Sequence, residues 1–221
     1  MWSLSRHHGA SLTNAQFIEA IRLRLGCAGP SEPIPCALCG GIFDSSGAHA
    51  HCCDIAEATR GHNAVTSEIL SVVQRCDPSA EKEVAGLIPQ TALRPADILT
   101  SCIDTGMTAL DIGITSPDAQ YAGSDRTQGM YERKLEKYAP HQTALERQNI
   151  AYQPLIFSCY GRPHARTTAI LRTLSKRVAR RRGCSDARAV FARLMKAVTV
   201  EIWRRGAKQC QSYWPKLKDC G

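Results

Sequence analysis

Arg94-Pro95-Ala96-Asp97-Ile98-Leu99-Thr100, followed by Asp104-Thr105-Gly106 and then Ala109-Leu110-Asp111-Ile112-Gly113-Ile114, is the stretch that decides the fold. Two apolar runs, Ala92 to Cys102 and Ala109 to Ser116, flank a turn signal at Asp104-Thr105-Gly106, so the pair is predicted to form a β-hairpin. Asp97 opens the first strand. Asp111 stands between Leu110 and Ile112 and should point to the opposite face from both. Thirteen residues separate the two aspartates, a hairpin spacing. Two carboxylates gathered at one end of a hairpin repel each other unless a divalent cation neutralises them. Mg²⁺ is held by one or two carboxylates plus substrate phosphate, and metal-dependent phosphodiester cleavage is assembled in that way. The plainer alternative is a turn residue and a strand-edge residue.

Working outward, Pro117 to Gln128 reads as a polar loop. A long polar helix is predicted over about 129–149, with Pro140 as an interruption. It carries Lys134 and Lys137, three apart and so on one face, next to Tyr138. A lysine near paired carboxylates can orient an attacking water or balance charge on a phosphoryl group; a solvated surface is the alternative. Tyr152 to Cys159 reads as a third strand. Two basic helices, about 164–182 and 185–205, follow it around Gly183-Cys184. On the N-terminal side, a helix is predicted over about 54–75 and is broken by Asp77-Pro78. Thr13-Asn14-Ala15-Gln16 is a capping box ahead of Phe17, Ile18, Ile21 and Leu25 at helical spacing. The fold class is therefore α/β (α+β), a small central mixed sheet with flanking helices.

Before the sheet lies a cysteine–histidine segment: Cys36-x2-Cys39, nine residues, then His49-x3-Cys53. Zinc takes four such ligands in a tetrahedron, and a CxxC on a tight turn supplies two thiolates. Gly40-Gly41 directly after the CxxC lets the backbone fold around a metal. His51 and Cys52 compete with His49 and Cys53 for the second pair. Four protein ligands leave no open position for water, so this zinc is expected to be structural. The expected organisation is residues 1–53 as N-terminal helix and zinc knuckle, 54–205 as the main domain, and 206–221 as a C-terminal tail.

The chain has 221 residues and 43% hydrophobic content, enough for a real core. Its 11 cysteines are an odd number, and no apolar signal segment opens the sequence. Reduced thiols in a soluble, intracellular protein without a membrane span are expected rather than a disulfide framework. Net charge is +8, but it is uneven: residues 161–221 hold 16 Lys/Arg against 3 Asp/Glu. Lys176, Arg177, Arg180, Arg181 and Arg182 form its densest part, and on a helix Lys176/Arg180 and Arg177/Arg181 pair at i, i+4. Such a stripe suits a nucleic-acid backbone and also resembles a nuclear-localisation patch. A solubilising helix face is the bland alternative.

The order of these segments resembles the C-terminal region of non-LTR retroelement polyproteins, which carry a restriction-like endonuclease after a reverse transcriptase. The matching stretches are Cys36 to Cys53, Arg60-Gly61-His62-Asn63, Arg94 to Asp97, Leu110 to Ile114, Lys134 to Tyr138 and Pro154 to Gly161. The resemblance implies a PD-(D/E)XK-type fold behind a CCHC knuckle, with Asp97 and Asp111 holding Mg²⁺ or Mn²⁺. Position 113 is Gly, so the usual lysine two residues after the second acid is absent. The resemblance points instead to Lys134 or Lys137, with Tyr138 nearby. It further implies nicking of DNA to leave a 3′-hydroxyl that primes reverse transcription, retroelement RNA as a second partner, a nuclear location and a polymerase module in the same polypeptide. No polymerase motif is present here, so a truncated copy, or an inactive nucleic-acid-binding remnant, is the alternative expectation.

Overall fold

The computed structural model describes residues 11–27, 29–36, 39–51, 53, 58–116, 125–181, 183 and 186–218; the side chains at 50, 51, 58–60 and 212–218 lie outside that description. The chain is a mixed α/β protein. Helix α1 (Asn14–Arg24) is followed by a two-stranded ribbon, β1 (Ile34–Pro35) and β2 (Ile42–Phe43), and by a 3-10 turn at Ala48–His51. Helix α2 (Ala58–Val73) leads to β3 (Glu81–Val84), β4 (Ala96–Thr100) and β5 (Met107–Thr115). Helices α3 (Arg126–Tyr138) and α4 (Gln142–Glu146) then cross over to β6 (Ile150–Ser158), and α5 (Ala165–Arg181) and α6 (Ala187–Lys218) complete the fold.

The main sheet has the order β3-β4-β5-β6. The predicted hairpin is present: β4 and β5 pair antiparallel, with Ile98 opposite Leu110. β6 lies parallel to β5 along its whole length, from Met107 opposite Ile150 to Thr115 opposite Ser158. A parallel pair needs a crossover rather than a tight turn, and α3 and α4 supply it. Pro140 stands in the 3-10 turn Ala139–His141 that separates them. Strand β3 was not foreseen. Three of its four residues are charged, and among the described residues it pairs with β4 alone, at the sheet edge.

Strand alternation divides the sheet into two faces. Ile98, Leu110, Ile112, Leu155 and Phe157 pack with Val65 and Ile69 of α2, Leu171 and Leu174 of α5, and Leu194 and Val198 of α6. Burying each such side chain contributes about 1.5–3 kcal/mol, and this is the larger of the two apolar clusters on the sheet. On the other face Ala109 packs with Tyr138 of α3, Leu145 of α4, Ile150, and Leu87 and Ile88 of the loop after β3. Asp111 and Gly113 share that second face by alternation.

Two expectations are corrected. The sequence predicts a tail over 206–221, but α6 runs to Lys218 and buries Ala207 and Cys210. Cys210 packs with Leu23 of α1 and with Cys36, Phe43 and Cys53, so the last helix clamps the N-terminal module. The capping box of α1 is present, with Thr13 accepting from the Gln16 amide. Of the apolar stripe expected for α1, however, Phe17, Ile18 and Leu25 are exposed and Ile21 is half-buried, while Ala20 and Leu23 are buried. Docking against α6 selects the Ala20/Leu23 face. Among the described residues no helix is long and apolar enough to cross a membrane.

Candidate functional site

The cysteine–histidine segment folds into a cluster. Cys36, Cys39, His49 and Cys53 place one ligand atom each within 4.8 Å of one another. Cys36 and Cys53 sulfurs are 3.9 Å apart, and Cys39 Sγ is 3.2 Å from His49 Nε2. Tetrahedral zinc–thiolate bonds of about 2.3 Å put sulfurs about 3.8 Å apart, so the spacing fits a metal ion such as zinc. The turn is closed by the Cys36 amide donating to the Gly41 carbonyl and the Gly40 amide donating to the Cys36 carbonyl. Gly40 has φ +74°, open to glycine. A Cβ on Gly41 would lie 2.7 Å from His49 Cε1 and 3.4 Å from Cys39 Sγ, so only glycine lets the backbone pass this close to the cluster. The His51 side chain and Cys52 lie outside the described residues.

The second site lies on the α3 face of the sheet. The β4–β5 register extends by one step from Ile98 opposite Leu110 to set Asp97 across from Asp111. β5 runs on past the start of β4, and Asp97 continues the pairing with its side chain: the Ile112 amide donates to Asp97 Oδ2 at 2.6 Å. Asp97 Oδ1 is 3.2 Å from His62 Nε2, on the second turn of α2. Lys134 Nζ donates to Asp111 Oδ1 at 2.5 Å and to the Ile112 carbonyl at 3.2 Å. The Tyr152 hydroxyl, from β6, donates to Asp111 Oδ2 at 2.5 Å. Four elements thus converge on two carboxylates.

Helix α3 is pinned so that Lys134 arrives there. At its start Asp125 caps the Thr127 amide and takes a two-pronged contact from Arg162, at 2.6 and 3.1 Å. Arg162 and the Thr127 contacts hold the Asp125 carboxyl well below the usual range. Beside it His164, whose Nε2 meets Gln128 Oε1 at 2.7 Å, stacks on Tyr131. At the other end of α3 the Tyr138 hydroxyl donates to the Arg94 carbonyl.

Electrostatics distinguish the two acids. Burial pushes the Asp111 carboxyl up, and the neighbouring Asp97 adds to this against the opposing pull of Lys134 and Tyr152. Burial acts on Asp97 too, but His62, the Ile112 amide and Lys134 together hold it below the usual range. Burial and the Asp111 charge raise Tyr152 far above an ordinary phenol, which keeps it a hydrogen-bond donor. Burial likewise pushes Tyr138 up to about 12.

Among the residues singled out from sequence, Asp97, Asp111 and Lys134 come together. Lys137 does not join them: it is exposed, with its ammonium 5.0 Å from the centroid of the Tyr138 ring. Tyr138 reaches the Arg94 carbonyl rather than a carboxylate, but its ring lies against Tyr152 at 4.6 Å between centroids. His62 and Tyr152 were not picked out as site residues. Lys176 and Arg180 are exposed on α5, Arg177 is half-buried, and Arg181 donates to the Cys76 carbonyl. Arg182 lies outside the described residues. A cleft of about 630 Å³ beside α3, α4 and β6 also borders Tyr138 and Tyr152, but Asp104, Glu136 and Glu146 line it, which suits a phosphate backbone poorly.

No protein-family model matches the sequence, and no curated protein is significantly similar to it.

Proposed function

We propose that this chain is a metal-dependent DNA endonuclease module of the retroelement, restriction-like type, with a structural zinc knuckle ahead of it. The observation that carries the proposal is the convergence of Asp97, Asp111 and Lys134 at one end of a hairpin. Asp97 and Asp111 would hold Mg²⁺ or Mn²⁺, with lone pairs left over after their protein partners are counted. Such an ion, when bound, supplies Lewis-acid stabilisation of phosphoryl oxygens and a more acidic water. Lys134 offsets the charge that builds on the phosphate as water oxygen bonds to phosphorus. The bond from phosphorus to the 3′ oxygen breaks, that oxygen takes up a proton, and the phosphate stays on the 5′ side. The resulting 3′-hydroxyl is the end a reverse transcriptase extends. The knuckle and the exposed Lys176 and Arg180 would bind the nucleic-acid backbone, DNA first and retroelement RNA second, in the nucleus.

The test is nicking of supercoiled plasmid in Mg²⁺ or Mn²⁺ by wild type, Asp97→Ala and Asp111→Ala. Nicking by wild type that both substitutions abolish supports the proposal. One observation favours a second reading, a catalytically inactive zinc-dependent nucleic-acid-binding remnant: both Asp111 oxygens are satisfied by Lys134 and Tyr152 without a cation. A folded, zinc-loaded wild type that binds DNA and never nicks it would select that reading.

A further inference from the structure

We infer that His62 is a positioning residue for Asp97, tying the first turns of α2 to the proposed cation site; this rests on the function proposed above. Asp97 hangs off the first strand of the hairpin with one oxygen on the Ile112 amide and the other on His62 Nε2. The amide alone leaves the carboxylate free to pivot about that contact. The imidazole supplies the second point and fixes its plane. Each carboxylate oxygen keeps a further lone pair for a cation.

The geometry assigns His62 to the site rather than to the core. Helix α2 is already anchored by Val65, Ile69, Val72 and Val73, all buried in the main core. His62 is not one of these buried anchors: it is half-buried, with its Nε2 on Asp97 Oδ1. Its side chain is 31% exposed and that of Asp97 20%, so the pair sits at the mouth of the site, where a substrate phosphate can approach. Gly61, the residue before it, lets this end of α2 sit close on α6: a Cβ there would fall 2.1 Å from Arg205 Cδ. The helix turn that presents His62 is thus set against the same helix that clamps the knuckle through Cys210. Hydrogen-bond partners of metal-binding side chains orient them, and their loss costs about 10–100-fold in metal affinity.

The experiment is Mn²⁺ titration of the full, zinc-loaded chain, followed by electron paramagnetic resonance of the free ion and paired with plasmid nicking across the same Mn²⁺ series. Wild type is expected to show one Mn²⁺ site beyond the knuckle, and Asp97→Ala to lose it. His62→Ala should weaken that site about 10–100-fold while the nicking rate at saturating Mn²⁺ changes far less. His62→Gln, which keeps an N–H donor, should restore most of the affinity. His62→Phe keeps a ring without the donor and covers the case in which alanine disturbs the fold; it should behave as His62→Ala. Unchanged or tighter Mn²⁺ binding in folded His62→Ala or His62→Phe overturns the role of His62 and leaves the site standing. A wild type with no Mn²⁺ site overturns both.

Discussion

The stem of Lys134 passes directly over Gly113: a Cβ built on that glycine would lie 2.9 Å from Lys134 Cε. A side chain at position 113 and the stem of Lys134 would therefore compete for the same space. Gly113 is what lets Lys134 reach Asp111. Ile156 Cδ1 at 2.9 Å and Met130 Sδ at 3.1 Å close the remaining room. Gly113→Ala should push Lys134 off Asp111 and overpack the sheet face, at a cost of about 1–3 kcal/mol. Thermal unfolding measures the cost and plasmid nicking the displacement; unchanged values in both would show that Lys134 does not need this passage.

Lys134→Ala should lower nicking by at least about 100-fold, the scale set by losing one charge-stabilising donor. Lys137→Ala should leave it near wild type, because Lys137 contacts the Tyr138 ring and not Asp111. In the Lys134→Ala background, Gly113→Lys should recover part of the rate, since the new side chain grows into the space the old one left. A plasmid assay on the four proteins separates these outcomes.

Tyr152→Phe removes the donor on Asp111 Oδ2. Among the described residues the carboxylate then keeps Lys134 alone, and the half-saturating metal concentration should rise about tenfold, as for other partners of metal-binding groups. Stability should fall by only about 1 kcal/mol, the net worth of one hydrogen bond. A metal titration with a parallel melting curve reads both.

The knuckle should hold one zinc per chain. Cys36→Ser and Cys53→Ser should lose it, and the loss should loosen the cluster that joins Leu23, Phe43 and Cys210. Gly41→Ala should also weaken zinc, because its Cβ would press on His49. Elemental analysis with a thiol-reactive dye reports zinc content, and proteolysis near residues 27–53 reports the loosening.

Acid should destabilise the chain partly through Asp77. Although burial opposes it, contacts from Ser79, Thr100 and Ser101 lower the Asp77 carboxyl to about 2. Thr100 donates at 2.6 Å and the Ser101 amide at 2.7 Å. A carboxyl lowered on folding contributes stability that is complete above its unfolded pKa of about 3.9 and is lost as pH falls towards its folded value. Asp77→Ala should therefore be less stable at neutral pH and show a flatter stability curve between about pH 4 and 2. Denaturant melts across that range test it.

Much of the framework was legible because local chemistry and tertiary structure agree. The Asp104-Thr105-Gly106 turn signal, the alternation around Asp111 and the Thr13 cap each point to the element that forms. The Cys36/Cys39 pair of the knuckle was legible from spacing, but spacing left His49 and Cys53 in competition with His51 and Cys52, and the fold is what gathers Cys36, Cys39, His49 and Cys53. β3 was not: Glu81-Lys82-Glu83-Val84 has no apolar period, Glu83 takes φ +55°, and the strand exists only because β4 offers an edge. The buried face of α1 was hidden for a similar reason: Leu23 is buried against Cys210 of α6, while the larger Phe17 and Ile18 stay exposed. Lys134 and Lys137 share a helix face, and only the approach of α3 to Gly113 separates their roles. His62 and Tyr152 come from distant segments, and Tyr152 reads in sequence as an ordinary strand aromatic.

The most direct test of the proposed cation site is a crystal of the zinc-loaded chain soaked in Mn²⁺, with the manganese located by its anomalous signal. A peak between the Asp97 and Asp111 carboxylates is expected, with Lys134 Nζ moved off Asp111 Oδ1. A fully soaked crystal with no peak there, and with Lys134 and Tyr152 still holding Asp111, would contradict it.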